Sequence, residues 1–347
     1  MPELAPEAPA SASVAGRHFR IRDHYDVGRE KIREFARAVQ NTHPAHRYEA
    51  DAGKLGFDGV LAPPTFASVI GMTTTQALLD TVLSEYDLSQ VLQTDQVFDI
   101  HRPIVAGDRL YSEATIESIR RMRGNDFIAV RATMTDESGQ VVLVGTTTIV
   151  ARLGQEIDPD IVRLVEGLVM HRRAVDHADP EVLLGIAPEQ ASTIPAVAES
   201  RSGTTVQTAP NFDDLRVGDQ LPATTVRLTR GDLVNYAGVS GDPNPIHFSD
   251  RAAELAGLPT VVAHGLLTMG LGAEFLTNWL EDPTAIESYS VRFAGFVPVA
   301  PTTPATIEFT GKIKSLDPER RAATILLSGS AAGKKLFGRA IAEVRLS

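Results

Sequence analysis

The chain contains no cysteine among its 347 residues. That excludes disulfide cross-links, thiolate zinc sites and a cysteine nucleophile, and it fits a reducing compartment. Long apolar runs are missing too: no stretch reaches the roughly 18 residues that span a bilayer as a helix. Positive charge is scarce, with 33 Lys+Arg against 44 Asp+Glu and a formal net charge of −11. Nucleic-acid binders draw most of their affinity from cationic footprints on phosphate, so this composition argues against that class of partner. Residues 1–15 (MPELAPEAPASASVA) carry no apolar stretch; they read as a disordered tail and not as a signal peptide. The expectation is a soluble, cytoplasmic protein. At roughly 150 residues per domain, the length implies about two domains.

What is present is unevenly spread. Residues 153–210 hold 4 basic and 9 acidic side chains together with Pro159, Pro180, Pro188, Pro195 and Pro210. Few aromatic residues and many prolines make this piece an acidic connector, with one helix-like apolar pattern over 160–170. Residues 211–347 are nearly balanced, with 13 basic and 15 acidic side chains.

Sliding the chain by 201 residues aligns Arg29–Phe66 with Arg230–Leu267 without a gap. Eight of those 38 pairs are identical, among them Arg29/Arg230, Pro44/Pro245, His46/His247 and Gly56/Gly257. Each copy begins with a short amphipathic helix, opened in the second by Thr229 and Asp232 in a near capping box. A Pro-containing turn follows, then a second short helix with Ser249 as N-cap and Gly257 as its stop. Long apolar helices come next, over 64–83 with Pro64 in the first turn, and over 264–280. Alternating, β-branched-rich segments follow each one: 97–100, 110–119, 127–135 and 141–151, then 289–293, 306–313, 323–328 and 336–346. Turn sequences Asp136–Gly139 and Ala331–Gly333 join neighbouring strands. One buried helix followed by an antiparallel sheet, twice over, predicts an α+β pseudo-dimer. Its parts are expected at 16–152 and 211–347.

Chemistry concentrates in Tyr236-Ala-Gly-Val-Ser-Gly-Asp242-Pro-Asn244-Pro-Ile-His247. Two prolines stiffen a turn that aims a carboxylate and an imidazole at one point, the equipment of general acid–base catalysis near neutral pH. Asn244 adds a neutral donor and acceptor for orientation. Gly265 opens the apolar helix, and a glycine N–H at a helix start suits a developing oxyanion. The same residues also make a good plain turn in which His247 only caps or packs. No zinc-ligand cluster is evident, so no metal is expected. The basic pairs Arg320-Arg321 and Lys334-Lys335 read as solvated loops, although a basic rim also steers acidic carriers.

This segment, followed by Ala263-His-Gly-Leu-Leu-Thr, resembles the MaoC-like hot-dog family of (R)-specific enoyl-thioester hydratases and (3R)-hydroxyacyl-thioester dehydratases. Arg216-Val-Gly-Asp-Gln-Leu-Pro and Gly333-Lys-Lys-Leu-Phe-Gly-Arg-Ala bring residues 211–347 closest to the catalytic B subunit of the mycobacterial-type (3R)-hydroxyacyl-ACP dehydratase. Asp23-His-Tyr-Asp-Val, Glu30-Lys-Ile-Arg-Glu-Phe and Pro103-Ile-Val-Ala-Gly-Asp make residues 17–152 similar to its A subunit. The resemblance implies a double hot-dog fold, with Asp242 and His247 as acid–base pair, Asn244 as positioning residue and the Gly265 N–H on the thioester carbonyl. It also implies that the first half houses the acyl chain, that no cofactor is needed, and that the substrate rides on acyl carrier protein or coenzyme A.

The first half departs from the pattern. Asn41 stands at the Asp242 position, His43 at that of Asn244, and Pro64, which has no N–H, at that of Gly265. Only His46 survives, so this copy is expected to be non-catalytic and His46 structural. The resulting reading is reversible syn dehydration of a (3R)-hydroxyacyl thioester, with His247 as base and Asp242 as acid. A coenzyme A-specific hydratase shares the same reacting centre. Two further readings, a hot-dog thioesterase and a non-catalytic acyl-binding protein, fit the second-half motif less well. Further pairing of the pseudo-dimer into a homodimer stays open.

Overall fold

The computed structural model describes residues 14–86, 91–152, 159–168 and 182–347. The expected tail therefore lies outside the described residues, apart from Val14 and Ala15.

The first half supplies β1 (His18–Ile21), β2 (Tyr25–Asp26), β3 (Val91–Ile100), β4 (Arg109–Met122), β5 (Asn125–Thr135) and β6 (Val141–Arg152). Its helices are α1 (Arg29–Ala38), α2 (Glu49–Lys54) and the central α3 (Ala67–Asp80). Helix α4 (Pro159–Leu168) and strand β7 (Leu183–Ile186) come between the halves. The second half holds α5 (Arg230–Ser240), α6 (Asp250–Leu255) and the central α7 (Gly265–Leu280). Its strands are β8 (Gln220–Leu228), β9 (Ile286–Phe293), β10 (Ala305–Asp317), β11 (Ala322–Ala331), β12 (Lys334–Lys335) and β13 (Phe337–Arg345).

The strands pair antiparallel in the order β7-β1-β4-β5-β6-β3-β9-β13-β11-β10-β8, with β2 and β12 beside that path. Strand periodicity shows why the sheet curls around its helices. Along β10, Ile307, Phe309 and Ile313 point inward while Thr306, Glu308 and Lys312 face solvent. Helix α7 is buried continuously from Leu266 to Thr277, as a helix apolar on most faces requires. The halves join where β3 pairs with β9, from Asp95↔Arg292 to Asp99↔Ser288. Helices α1 and α5 meet at the same seam, with the Phe35 and Tyr236 rings 6.3 Å apart. One apolar core consequently runs through both halves, from Phe35 and Phe98 to Phe275 and Phe309.

Most expected elements stand within a few residues of their place, and three differences have physical causes. Strands β1, β7 and β8 carry no pattern of their own because they are short or lie at sheet edges, where one face is solvated; β8 even carries Pro222, which an edge tolerates. Residues 153–210 are more than a connector. They contribute β7, which pairs with β1, and Arg201, which is 1% exposed beside the equally buried Glu287. Finally, α3 starts at Ala67, so Pro64 sits in the turn before the helix and not in its first turn.

Candidate active site

Helix α5 opens with a full capping box. The Thr229 N–H donates to Asp232 at 2.7 Å and the Asp232 N–H to the Thr229 hydroxyl at 3.3 Å. It ends at Gly241, whose φ of 75° is the left-handed conformation that glycine adopts without strain. The chain then turns through Asp242-Pro-Asn-Pro. Asp242 Oδ1 accepts the Asn244 N–H at 3.1 Å, and Asn244 Oδ1 accepts the Ile246 N–H at 3.2 Å. Each polar side chain thus braces the next step of the turn, which carries His247 inward.

His247 is fixed by a carbonyl. Its Nδ1 lies 2.7 Å from the Val262 oxygen, which can only accept, so Nδ1 holds the proton and Nε2 the lone pair. Nε2 sits 4.0 Å from Asp242 Oδ2, too far for a direct hydrogen bond and close enough for both to reach one atom between them. Burial holds the imidazole below its ordinary pKa, while the Asp242 charge and the Val262 carbonyl pull the other way. The ring of His264 stacks on that of His247, with centroids 3.8 Å apart and planes at 28°. Burial, and then His247, keep His264 well below the ordinary range, so it packs as a neutral ring between His247 and Tyr236.

Gly265 is the first residue of α7, where the helix leaves its N–H without an internal partner at the positive end of the dipole. Asp242, Asn244, His247 and Gly265 all line one cavity of about 380 Å³. Much of the remaining wall comes from the first half: Gly71, Met72 and Leu79 of α3, Gln96 and Phe98 of β3, and Gly145 of β6.

The counterparts in the first half are placed differently. His46 repeats the histidine bond, with Nδ1 2.7 Å from the Leu61 carbonyl, but is fully buried and held down to a pKa of about 3, mainly by desolvation. Asn41 accepts the His43 N–H at 3.1 Å and is 1% exposed. His43 takes over the bracing role of Asn244, accepting the Ala45 N–H at 3.3 Å, and its Nε2 donates to the Glu281 carbonyl of α7's C-cap at 3.0 Å. Pro64 lines a separate pocket of about 20 Å³. None of Asn41, His43, His46 or Pro64 reaches the large cavity.

Asp242, His247 and His264 also bring three potential metal-ligand atoms within 4.8 Å of one another. The two rings are stacked, however, so their in-plane lone pairs run side by side more than they converge, which suits a shared ion poorly. Two features of the site lay outside sequence reasoning: the stacking of His264 on His247 and the carbonyl that sets the tautomer. The Ala-His-Gly sequence marked the helix start, but nothing in its spacing announces a ring contact across 17 residues of chain.

Two central helices wrapped by one antiparallel sheet, with a cavity at their seam that Asp242 and His247 both line, define a double hot-dog protein. Residues 13–144 match the FAS1-like dehydratase domain region, and residues 215–328 match the MaoC like domain. A UPF0336 protein of Saccharopolyspora erythraea is 41% identical over 152 residues, covering 44% of this chain and 97% of that protein. Another, from Mycobacterium tuberculosis, is 40% identical over 146 residues, 42% of this chain and 92% of its own length. A solved MaoC-like dehydratase superposes with a TM-score of 0.87 at 43% identity, covering 97% of this chain and all 100% of that one. The MaoC-like dehydratase of Phytophthora capsici shares the fold at 14% identity and a TM-score of 0.61, over 98% of this chain and 100% of that one. The chain belongs to the MaoC-like dehydratase family, and its general class of activity is that of a hydratase or dehydratase. Among the described residues no helix is long and apolar enough to cross a membrane.

Proposed function

We propose that the protein is a (3R)-hydroxyacyl-thioester dehydratase, reversible as a trans-2-enoyl-thioester hydratase, acting on acyl carrier protein-bound chains in type II fatty-acid or mycolic-acid-type elongation. The observation that carries this reading is the convergence of Asp242, Asn244, His247 and Gly265 on one cavity that continues into the first half. His247 Nε2, neutral and fixed in tautomer, removes the proton from C2 of the bound thioester. The Gly265 N–H stabilises charge on the carbonyl oxygen as that bond breaks. Asp242, as the acid of the pair, gives a proton to the 3-hydroxyl, which leaves as water while the C2–C3 double bond forms, and the proton taken by His247 restores the pair across the 4.0 Å between them. The C2 proton and the 3-hydroxyl leave from one face of the substrate because His247 and Asp242 stand on one turn, which makes the elimination syn. Asn244 holds Asp242 at its backbone N–H and so positions it. No step calls for a metal or redox cofactor.

In the same reading the first half is non-catalytic. Asn41 supplies no carboxylate, Pro64 no N–H, and His46 is buried away from the cavity. Its contribution is the wall along which the acyl chain lies.

Hydration of crotonyl thioesters, followed by loss of enoyl absorbance, tests the assignment. Asp242→Asn and His247→Ala are each expected to lower kcat about 10²–10⁴-fold, the usual worth of a general acid or base. An unchanged rate in either variant removes that residue from the mechanism. Thiol release without hydration points to a thioesterase.

A further inference from the structure

The cavity has an identifiable mouth. Leu92 and Phe296 both line it, yet they are 61% and 48% exposed, so they are wall residues that also meet solvent. They come from opposite halves. Strand β3 pairs with β9 only over Asp95–Asp99, and β9 ends at Phe293. Residues 91–94 therefore form one lip and residues 294–296 the other.

The second lip rests on a basic hairpin. The Ala294 and Gly295 N–H groups donate to the Leu336 carbonyl at 2.8 and 3.1 Å. A Cβ at Gly295 would collide with the Lys335 carbonyl, so only glycine lets the lip lie this close to the hairpin. Ala332 and Gly333, with φ of 48° and 75°, turn the hairpin, which presents Lys334 and Lys335 to solvent. Arg339 is exposed on β13, next to Gly338, whose Cβ would touch Ala294. Its cross-strand neighbour Arg292 is already neutralised by Asp95 at 2.7 Å. Lys334, Lys335 and Arg339 carry no ion pair among the described residues. Three uncompensated cations beside an apolar mouth stand out on a chain of net charge −11.

We propose that Lys334, Lys335 and Arg339 form the docking surface for an acidic acyl carrier protein, whose phosphopantetheine arm enters between Leu92 and Phe296. The inference rests on the dehydratase reading above and adds to it the place where the carrier makes contact. An acidic carrier presents carboxylates around a phosphodiester at the root of its arm, which complements these cations and steers encounter. The two exposed apolar lips receive the arm beyond the phosphate.

The test is the variant carrying Lys334→Glu, Lys335→Glu and Arg339→Glu, all at exposed positions and outside the catalytic machinery. With crotonyl-acyl carrier protein, kcat/KM is expected to fall at least tenfold and to lose its dependence on ionic strength. With crotonyl-pantetheine, which has neither phosphate nor protein, it is expected to stay within twofold of the parent. Fluorescence anisotropy of a labelled holo-carrier measures docking without turnover and is expected to show binding lost in the variant. Retained binding together with an unchanged kcat/KM on the carrier substrate overturns the proposal. So does a loss confined to crotonyl-coenzyme A, which would place a nucleotide on the cations instead. If the parent enzyme hydrates no thioester at all yet binds the holo-carrier through these residues, the dehydratase reading fails and the docking surface stands.

Discussion

Both halves hold a histidine at the same point of the same turn, and in both Nδ1 lies 2.7 Å from a backbone carbonyl. The arginine that opens each copy pairs with the acid 20 residues on, Arg29 with Glu49 and Arg230 with Asp250. What differs is the company. His247 faces Asp242 across 4.0 Å and a cavity, whereas His46 is fully buried, its ring 5.7 Å from that of His43 and its Nε2 unpartnered. Scaffold bonds alone do not make a site. For the proposed chemistry the carboxylate, the helix N–H and an opening to substrate must coincide, and among the described residues they do so once.

The central helices show the reciprocal difference. Gly71 and Gly272 are 201 residues apart and occupy equivalent positions on α3 and α7. A Cβ at Gly71 would meet nothing within 4 Å, because the residue lines the cavity. At Gly272 it would collide with the Tyr289 hydroxyl and come within 3.6 Å of Phe309, whose ring is flanked in turn by Phe275 and Phe337. In the proposed reading one half keeps the chemistry and a solid core, the other an open groove without chemistry. The two properties compete for the same volume beside the helix, which gives a physical reason for dividing them between copies.

Opening the solid half is expected to have the largest effect. Phe309 is fully buried between Phe275 and Phe337. Phe309→Ala should cost about 3–5 kcal/mol of unfolding free energy, since a close-packed site collapses only partly around lost volume. Denaturant melts measure it, and a loss under about 1 kcal/mol would mean the second half is not packed as tightly as the contrast requires.

The next effect separates the two histidines by pH. His46 has a folded pKa of about 3 against 6.5 for an ordinary histidine, so the unfolded chain binds its proton first as pH falls. Stability from this group is complete above pH 6.5 and is lost progressively toward pH 3, amounting to about 2 kcal/mol by pH 5 at 1.36 kcal/mol per pH unit. His46→Gln, which cannot take up that proton, should flatten the stability–pH curve between pH 7 and 5 by this amount. Parallel curves for parent and variant would show that His46 is not the neutral, buried group described. Substitution of His247 should change the slope less, because Asp242 offsets part of the burial there.

Much of this was legible in the sequence, for local reasons. The 201-residue offset, the Asp242–His247 spacing and the exchange of Gly265 for Pro64 are all properties of neighbouring residues. The central helices and eight strands announced themselves through periodicity. Long-range features did not. Nothing in Gly71 and Gly272 tells them apart until Tyr289 folds back onto one of them. Likewise the Val262 carbonyl that sets the His247 tautomer, the edge pairing of β7 with β1 and the burial of Arg201 arise from chain segments brought together only by the fold.

Filling the open half is the mildest intervention and the most direct on the comparison. Gly71 lies inside α3, where replacing glycine by leucine gains about 1 kcal/mol of helix propensity. The new side chain would start into the cavity, which Gly71 lines, with nothing within 4 Å of its Cβ. Gly71→Leu should therefore fold at least as stably as the parent and keep its kcat/KM on crotonyl thioesters within about twofold. On dodecenoyl thioesters the same constant should fall about tenfold, equivalent to about 1.4 kcal/mol, because the chain and the leucine claim the same space. Stability and short-chain rates would then report an intact second half while long-chain rates report the first. Equal losses on both substrates would place the obstruction at the reacting centre, and no loss on either would move the acyl path away from α3.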